Sequence, residues 1–105
     1  MKMKAVELNE DEFQAMVKDA PVALVDFSAA WCGPCQMQGP VIDELAEKRT
    51  DIKVGKVDVE KESALTAAFQ VSNIPALVFF KNGEMKKKVI GFHSLEEIEE
   101  IIGTL

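Results

Sequence analysis

The chain is poor in cysteine. Its 105 residues hold two, Cys32 and Cys35. A bridge between residues three apart closes too small a loop to hold a fold together, which argues against a disulfide-stapled secreted scaffold. Positive charge is also short. Twelve Lys and Arg against 18 Asp and Glu leave a formal net charge of −6, the wrong sign for a surface that neutralises nucleic-acid phosphates. No apolar run approaches the roughly 20 residues of a membrane span. The basic start Met1-Lys2-Met3-Lys4 is followed by no apolar segment, so no signal peptide is expected. Internal repeats, low-complexity stretches and linkers are missing, and the length suits one domain over residues 1–105. There is no Gly-rich dinucleotide fingerprint. The single histidine, His93, and two cysteines fall short of the four ligands of a structural zinc within one chain, so no metal is expected. What is present is 48% apolar residues, enough for a packed interior without staples. The expected compartment is the cytoplasm, where a lone cysteine pair is more often catalytic than structural.

That pair lies in Trp31-Cys32-Gly33-Pro34-Cys35, which also holds the only tryptophan. Before it, Val22 to Phe27 is a nearly continuous apolar run, the pattern of a central strand covered on both faces. After it a helical pattern runs to about Arg49, with Val41, Ile42 and Leu45 on its apolar side. Gly39 should weaken this helix and Pro40 should kink it. Cys-x-x-Cys between a strand and a helix reads as a thiol–disulfide redox centre. Unpaired N–H groups and the positive end of the dipole stabilise a thiolate at a helix N-terminus. Positions three apart on a helix lie about 5–6 Å apart, close enough to form a disulfide with modest adjustment.

The remaining pattern is regular. Ala5 to Leu8 reads as a short strand. Asn9 reads as an N-cap with Glu12 as its capping-box partner, opening a helix to about Ala20 on Phe13, Met16 and Val17. A strand over Ile52 to Val59 precedes a helix over Glu62 to Phe69, built on Ala64, Leu65, Ala67 and Ala68. Strands over Ala76 to Phe80 and Lys87 to Ile90 flank Asn82-Gly83, a hairpin signal, with Lys86-Lys87-Lys88 on the wet side. Ser94 and Glu97 cap a last helix that buries Leu95, Ile98, Ile101 and Ile102. The methionines are expected to fill core gaps. The order β-α-β-α-β-α-β-β-α predicts an α/β fold, a central mixed sheet flanked by helices on both faces.

Leu24-Val25-Asp26-Phe27, Trp31-Cys32-Gly33-Pro34-Cys35, Pro40, Lys56-Val57-Asp58, Ile74-Pro75, Asn82-Gly83 and Gly91 together resemble the thioredoxin family along nearly the whole chain. The resemblance implies the thioredoxin fold and reduction of protein disulfides by a monomer. It also implies recharging by a thioredoxin reductase, with FAD and NADPH on that partner and no cofactor bound here. By resemblance Cys32 is the exposed, low-pKa nucleophile that forms a mixed disulfide with substrate, and Cys35, one turn in and less exposed, resolves it. Gly33 and Pro34 shape the loop, and the Gly-Pro pair resembles the reducing members. Asp26, a carboxylate in an apolar strand, takes the role of proton acceptor for Cys35, and Lys56 on the next strand tunes it. A solvated strand-end position is the competing reading for both. Trp31, Ile74, Pro75 and Gly91 take substrate-binding roles. Pro75 is expected in cis by resemblance, although the residues alone predict trans. Trp31 as plain packing and Gly91 as an ordinary turn glycine are the alternatives, and His93 reads as a solvated loop residue.

Three departures from the family pattern concern the partner surface. Ser28 replaces a common second tryptophan, Gln36 replaces a common lysine, and Gln38-Gly39 replaces a more helix-favouring pair, which predicts a looser helix near Pro40. Two competing functions stay open at this level. An oxidase or isomerase usually carries a His in the intervening dipeptide, which Gly33-Pro34 argues against. A non-catalytic binding subunit of a larger complex would use the apolar surface around Trp31, Ile74, Pro75 and Gly91.

Overall fold

The structure, a computed structural model, describes residues 5–105. The basic stretch at residues 1–4 lies outside the described residues. Asn9 Oδ1 accepts from the Glu12 backbone N–H (2.8 Å), and the Glu12 carboxylate accepts from the Asn9 N–H (2.9 Å). This reciprocal cap starts helix α1 (Glu10–Asp19). Ser94 and Glu97 repeat the device for α4 (Leu95–Gly103). Each satisfies two backbone donors that a helix end otherwise leaves unpaired.

β1 (Val6–Glu7) precedes α1, and between the two capped helices run β2 (Val22–Ser28), α2 (Gly33–Lys48), β3 (Lys53–Asp58), α3 (Ser63–Ala68), β4 (Ala76–Lys81) and β5 (Glu84–Ile90). The strands form one five-stranded sheet in the order β1-β3-β2-β4-β5. β1, β3 and β2 are parallel, while β4 and β5 run antiparallel to their neighbours. The hairpin between β4 and β5 turns on Asn82 and Gly83, both at positive φ (52° and 84°). That left-handed pair matches the twist of the strands it joins.

Successive residues of β2 face opposite sides of the sheet. Ala23, Val25 and Phe27 join Phe13 and Val17 of α1 and Leu65 of α3 in one core. Leu24, with Leu77 and Phe79 of β4, joins Ile42 and Leu45 of α2 and Ile98 and Ile102 of α4 in the other. By the same alternation Asp26 lies on the α2 side.

Several local expectations are corrected. In α3, Ala64, Ala67 and Ala68 are exposed rather than part of the buried core. A helix this short offers the sheet one stripe, and it docks through Leu65 and the following Phe69, whose ring lies 5.3 Å from Phe13 and 5.5 Å from Phe80. Leu95 and Ile101 of α4 are only half-buried, because they flank the stripe centred on Ile98 and Ile102. β5 begins at Glu84 rather than Lys87. Lys88 is half-buried rather than fully on the wet side. Its ammonium donates to the carbonyls of Phe69 (3.3 Å) and Gln70 (3.0 Å), satisfying the open end of α3. Lys86 and Lys87 stay exposed beside a register shift at Phe79/Phe80, features that discourage pairing at an open sheet edge. Met16 packs against the core, but Met37 and Met85 are exposed.

Candidate active site

The site sits where β2 hands the chain to α2. Cys32 is the N-cap of α2: its backbone is extended and its Sγ accepts from the Cys35 N–H at 3.3 Å. Pro34 stands in the first turn, where its missing N–H leaves no bond unmade. Cys32 and Cys35 are joined as a disulfide with Cα atoms 5.2 Å apart. In this oxidised form both residues are buried, at 6% and 5% accessible. The bridge covers both sulfurs, and Cys32 Sγ lies 3.9 Å from the Ile74 carbonyl oxygen.

The groups expected around the sulfurs come from three separate segments. Trp31 precedes Cys32 and is 69% exposed, which removes the plain-packing reading. Ile74 is half-buried and packs with Ala29 and the two cysteines. The Ile74–Pro75 bond is cis. Gly91 has φ of +90°, a conformation side chains rarely adopt, and its N–H donates to the Pro75 carbonyl at 2.8 Å. The segment after β5 is thereby tied to the segment before β4.

Asp26 is 1% accessible, and its Oδ1 has no hydrogen-bond partner. Burial pushes its pKa up to about 7. The Lys56 charge opposes the rise and the Asp43 charge adds to it. Lys56 is the cross-strand Cα partner of Asp26, yet its ammonium pairs with Asp43 Oδ1 of α2 at 3.0 Å. A cleft of about 220 Å³ lined by Ser28, Ala29, Cys35, Gln36, Lys56 and Asp58 opens beside Cys35. No group of three or more His, Cys, Asp or Glu among the described residues could hold a metal ion, nor is any helix among them long and apolar enough to cross a membrane.

Two features lie beyond the reach of the sequence reading. The first is Asp43, which stands four residues from Gly39 on α2 and so on the stripe facing Lys56. The second is Gln38, where helix propensity predicts only a looser turn. It is instead fully buried, at 0% accessibility. Its Oε1 accepts from the His93 N–H (2.8 Å) and its Nε2 donates to the His93 carbonyl (3.0 Å). His93 is half-buried rather than solvated, with its ring Nδ1 2.8 Å from the Gly91 carbonyl. The detectable signal is spacing: 35, 38, 42 and 45 form one helical stripe, so a polar residue at 38 must find partners inside.

A mixed sheet with a redox-active Cys-x-x-Cys pair at the N-terminus of a covering helix defines a thiol–disulfide oxidoreductase. The thioredoxin family model matches residues 4–104. The thioredoxin of Alicyclobacillus acidocaldarius is 40% identical over 93 residues, covering 88% of this chain and 89% of that protein. A thioredoxin of Staphylococcus aureus is 40% identical over 103 residues, covering 95% and 96%. Among solved structures, a mutant thioredoxin from Halobacterium salinarum superposes with a TM-score of 0.87 at 36% identity, covering 99% of this chain and 94% of that one. Oxidised mitochondrial thioredoxin 3 of Saccharomyces cerevisiae gives 0.86 at 30% identity, covering 96% and 95%. The chain belongs to the thioredoxin family and is a protein-disulfide reductase.

Proposed function

We propose that Cys32 is the attacking thiol, Cys35 the resolving thiol and Asp26 the proton acceptor. The Cys32 thiolate attacks a substrate disulfide; one S–S bond breaks as another forms, and the first substrate sulfur leaves as a thiolate. Asp26 then takes the Cys35 proton. The Cys35 thiolate attacks Cys32 Sγ, the second substrate thiolate leaves, and the Cys32–Cys35 disulfide remains. Two electrons pass to the substrate. The single observation that carries this reading is Cys32 Sγ at the N-cap of α2, accepting from the Cys35 N–H, a position that favours a thiolate there.

Lys56 tunes Asp26 by opposing its protonation, and Gly33 and Pro34 set the loop. Trp31, Ile74, Pro75 and Gly91 line the docking surface for an extended substrate segment. A flavin-dependent thioredoxin reductase using NADPH restores the dithiol, FAD and NADPH remaining on that partner. The chain works in the cytoplasm as a monomer and as one domain.

Two variants test the roles. Cys35→Ser accumulates a mixed disulfide between Cys32 and a protein substrate, visible on non-reducing gels, whereas Cys32→Ser reduces nothing. Loss of partner capture in Cys35→Ser, or turnover in Cys32→Ser, overturns the assignment. The midpoint potential of the couple tests direction. A value close to about −270 mV, characteristic of thioredoxin itself and not a figure this structure yields, fits an electron donor, while one above roughly −180 mV fits an oxidase or isomerase.

A further inference from the structure

Gln38 is the one uncharged polar side chain buried within the described residues; the other buried polar group is Asp26. It sits one turn beyond Cys35 on the stripe that otherwise carries Ile42 and Leu45 into the core. An apolar residue would fill that stripe at no polar cost, whereas a buried amide without partners is destabilising. Both ends of the amide bond a single residue across the molecule. Its oxygen takes the His93 N–H and its nitrogen gives to the His93 carbonyl. This two-bond exchange imitates the paired residues of an antiparallel ladder, but one side is a side chain.

What the exchange holds is the 91–93 segment, which is tied onward toward the Ile74–Pro75 stretch. His93 ends the short segment that begins at Gly91. The ring Nδ1 of His93 meets the Gly91 carbonyl at 2.8 Å, and because a carbonyl only accepts, Nδ1 carries a proton in this contact. The Gly91 N–H in turn donates to the Pro75 carbonyl. A continuous chain of bonds therefore runs from α2, through Gln38, His93 and Gly91, to the Ile74–Pro75 segment beside Cys32. Between Gly91 and His93, Phe92 is held out at 42% exposure.

We propose that Gln38 is a positioning residue for substrate docking. Its buried amide fixes the 91–93 segment, with Gly91 and exposed Phe92, at a set place relative to the cysteine-bearing end of α2. The proposal rests on the reductase reading and deepens it: Gln38 acts on disulfides presented by a polypeptide, which must lie against Gly91 and Phe92, more than on small disulfides that need only reach Cys32. Without the clamp the segment must be ordered each time a protein docks, a cost that a preorganised surface avoids.

The test compares the wild type with Gln38→Met, which keeps length and apolar fill but has no amide. Second-order rate constants of the reduced protein are measured with insulin and with 2-hydroxyethyl disulfide. Hydrogen exchange at the His93 amide is followed by NMR in both proteins, with thermal melting as a check on folding. In the variant the insulin rate is expected to fall roughly tenfold and the small-disulfide rate less than about twofold, while the His93 amide exchanges faster. A variant in which both rates fall equally, or in which neither falls, overturns the proposal. So does a wild-type His93 amide that exchanges as fast as an exposed one, a result independent of any variant's folding. A wild type that reduces neither substrate refutes the reductase reading itself, and is thereby distinguishable from failure of the positioning role alone.

Discussion

At the scale of single residues, Asp26 sets the strongest tension in the molecule. Its carboxyl is buried with one oxygen unpartnered, and its pKa lies at about 7 against 3.8 for a free side chain. The folded state therefore holds this proton more tightly than the unfolded chain does. Between about pH 4 and 7 folding takes up a proton, so stability falls as pH rises through that window, and the penalty is complete above about 7. Replacing Asp26 with the nearly isosteric Asn removes the charge. Asp26→Asn is expected to raise stability by at most ~4 kcal/mol above about pH 7 and to change it little near pH 4. Urea unfolding at the two pH values decides this; an equal gain at both would assign the effect to something other than ionisation. Under the role proposed for Asp26, the same substitution is expected to slow resolution of the mixed disulfide. A charge in the middle of an apolar strand is legible from Val22 to Phe27. The Asp43 partner of Lys56 is not, because an ion pair between a helix and a strand depends on how the helix is set over the sheet.

At the scale of elements, the caps and the hairpin follow closely from local chemistry. Asn9 with Glu12, Ser94 with Glu97, and Asn82-Gly83 each act within a single turn, so the sequence carries the whole interaction. Contacts that bridge distant elements are less legible. The alanines of α3 suggest an apolar face, but Leu65, Phe69 and the ammonium of Lys88 from β5 hold the helix. Helix propensity favours Gln38 no less than an apolar residue there, whereas tertiary bonds to His93 decide its role. Propensity still governs its neighbour. A Cβ at Gly39 would meet only Lys56 Nζ, at an ordinary 3.7 Å. Gly39→Ala is therefore expected to stabilise the protein by up to ~1 kcal/mol through the helix. Thermal or urea unfolding tests this, and a destabilised variant would show that α2 needs the glycine for its packing.

At the scale of the whole molecule, β2 belongs to both cores. Its alternating side chains reach Phe13 on one face and Ile42 on the other, and it has a bonded neighbour on each side. Neither core can dissolve without opening this strand. The slowest-exchanging amides are accordingly expected in β2 and β4, opening only with global unfolding. Native-state hydrogen exchange in low denaturant measures this, and β2 amides that open well below the global free energy would indicate two separable halves. The order of elements and the mixed sheet are legible because each segment's hydrophobic period suits one layer. The pairing of Gly91 with Pro75 is legible only in outline: it extends the Asn82-Gly83 hairpin one pair beyond Ala76 and Ile90, but the register shift at Phe79/Phe80 hides which residues meet. One further property follows from Trp31, the sole tryptophan in a chain with no tyrosine. Its indole is mostly in water and belongs to the residue next in sequence to bridged Cys32, and a disulfide within reach quenches excited indole by accepting its electron. The molecule is thus expected to carry its own optical gauge: ultraviolet emission brightens as the bridge opens, which a fluorescence titration with dithiothreitol checks, and unchanged emission places the indole out of reach of the sulfurs.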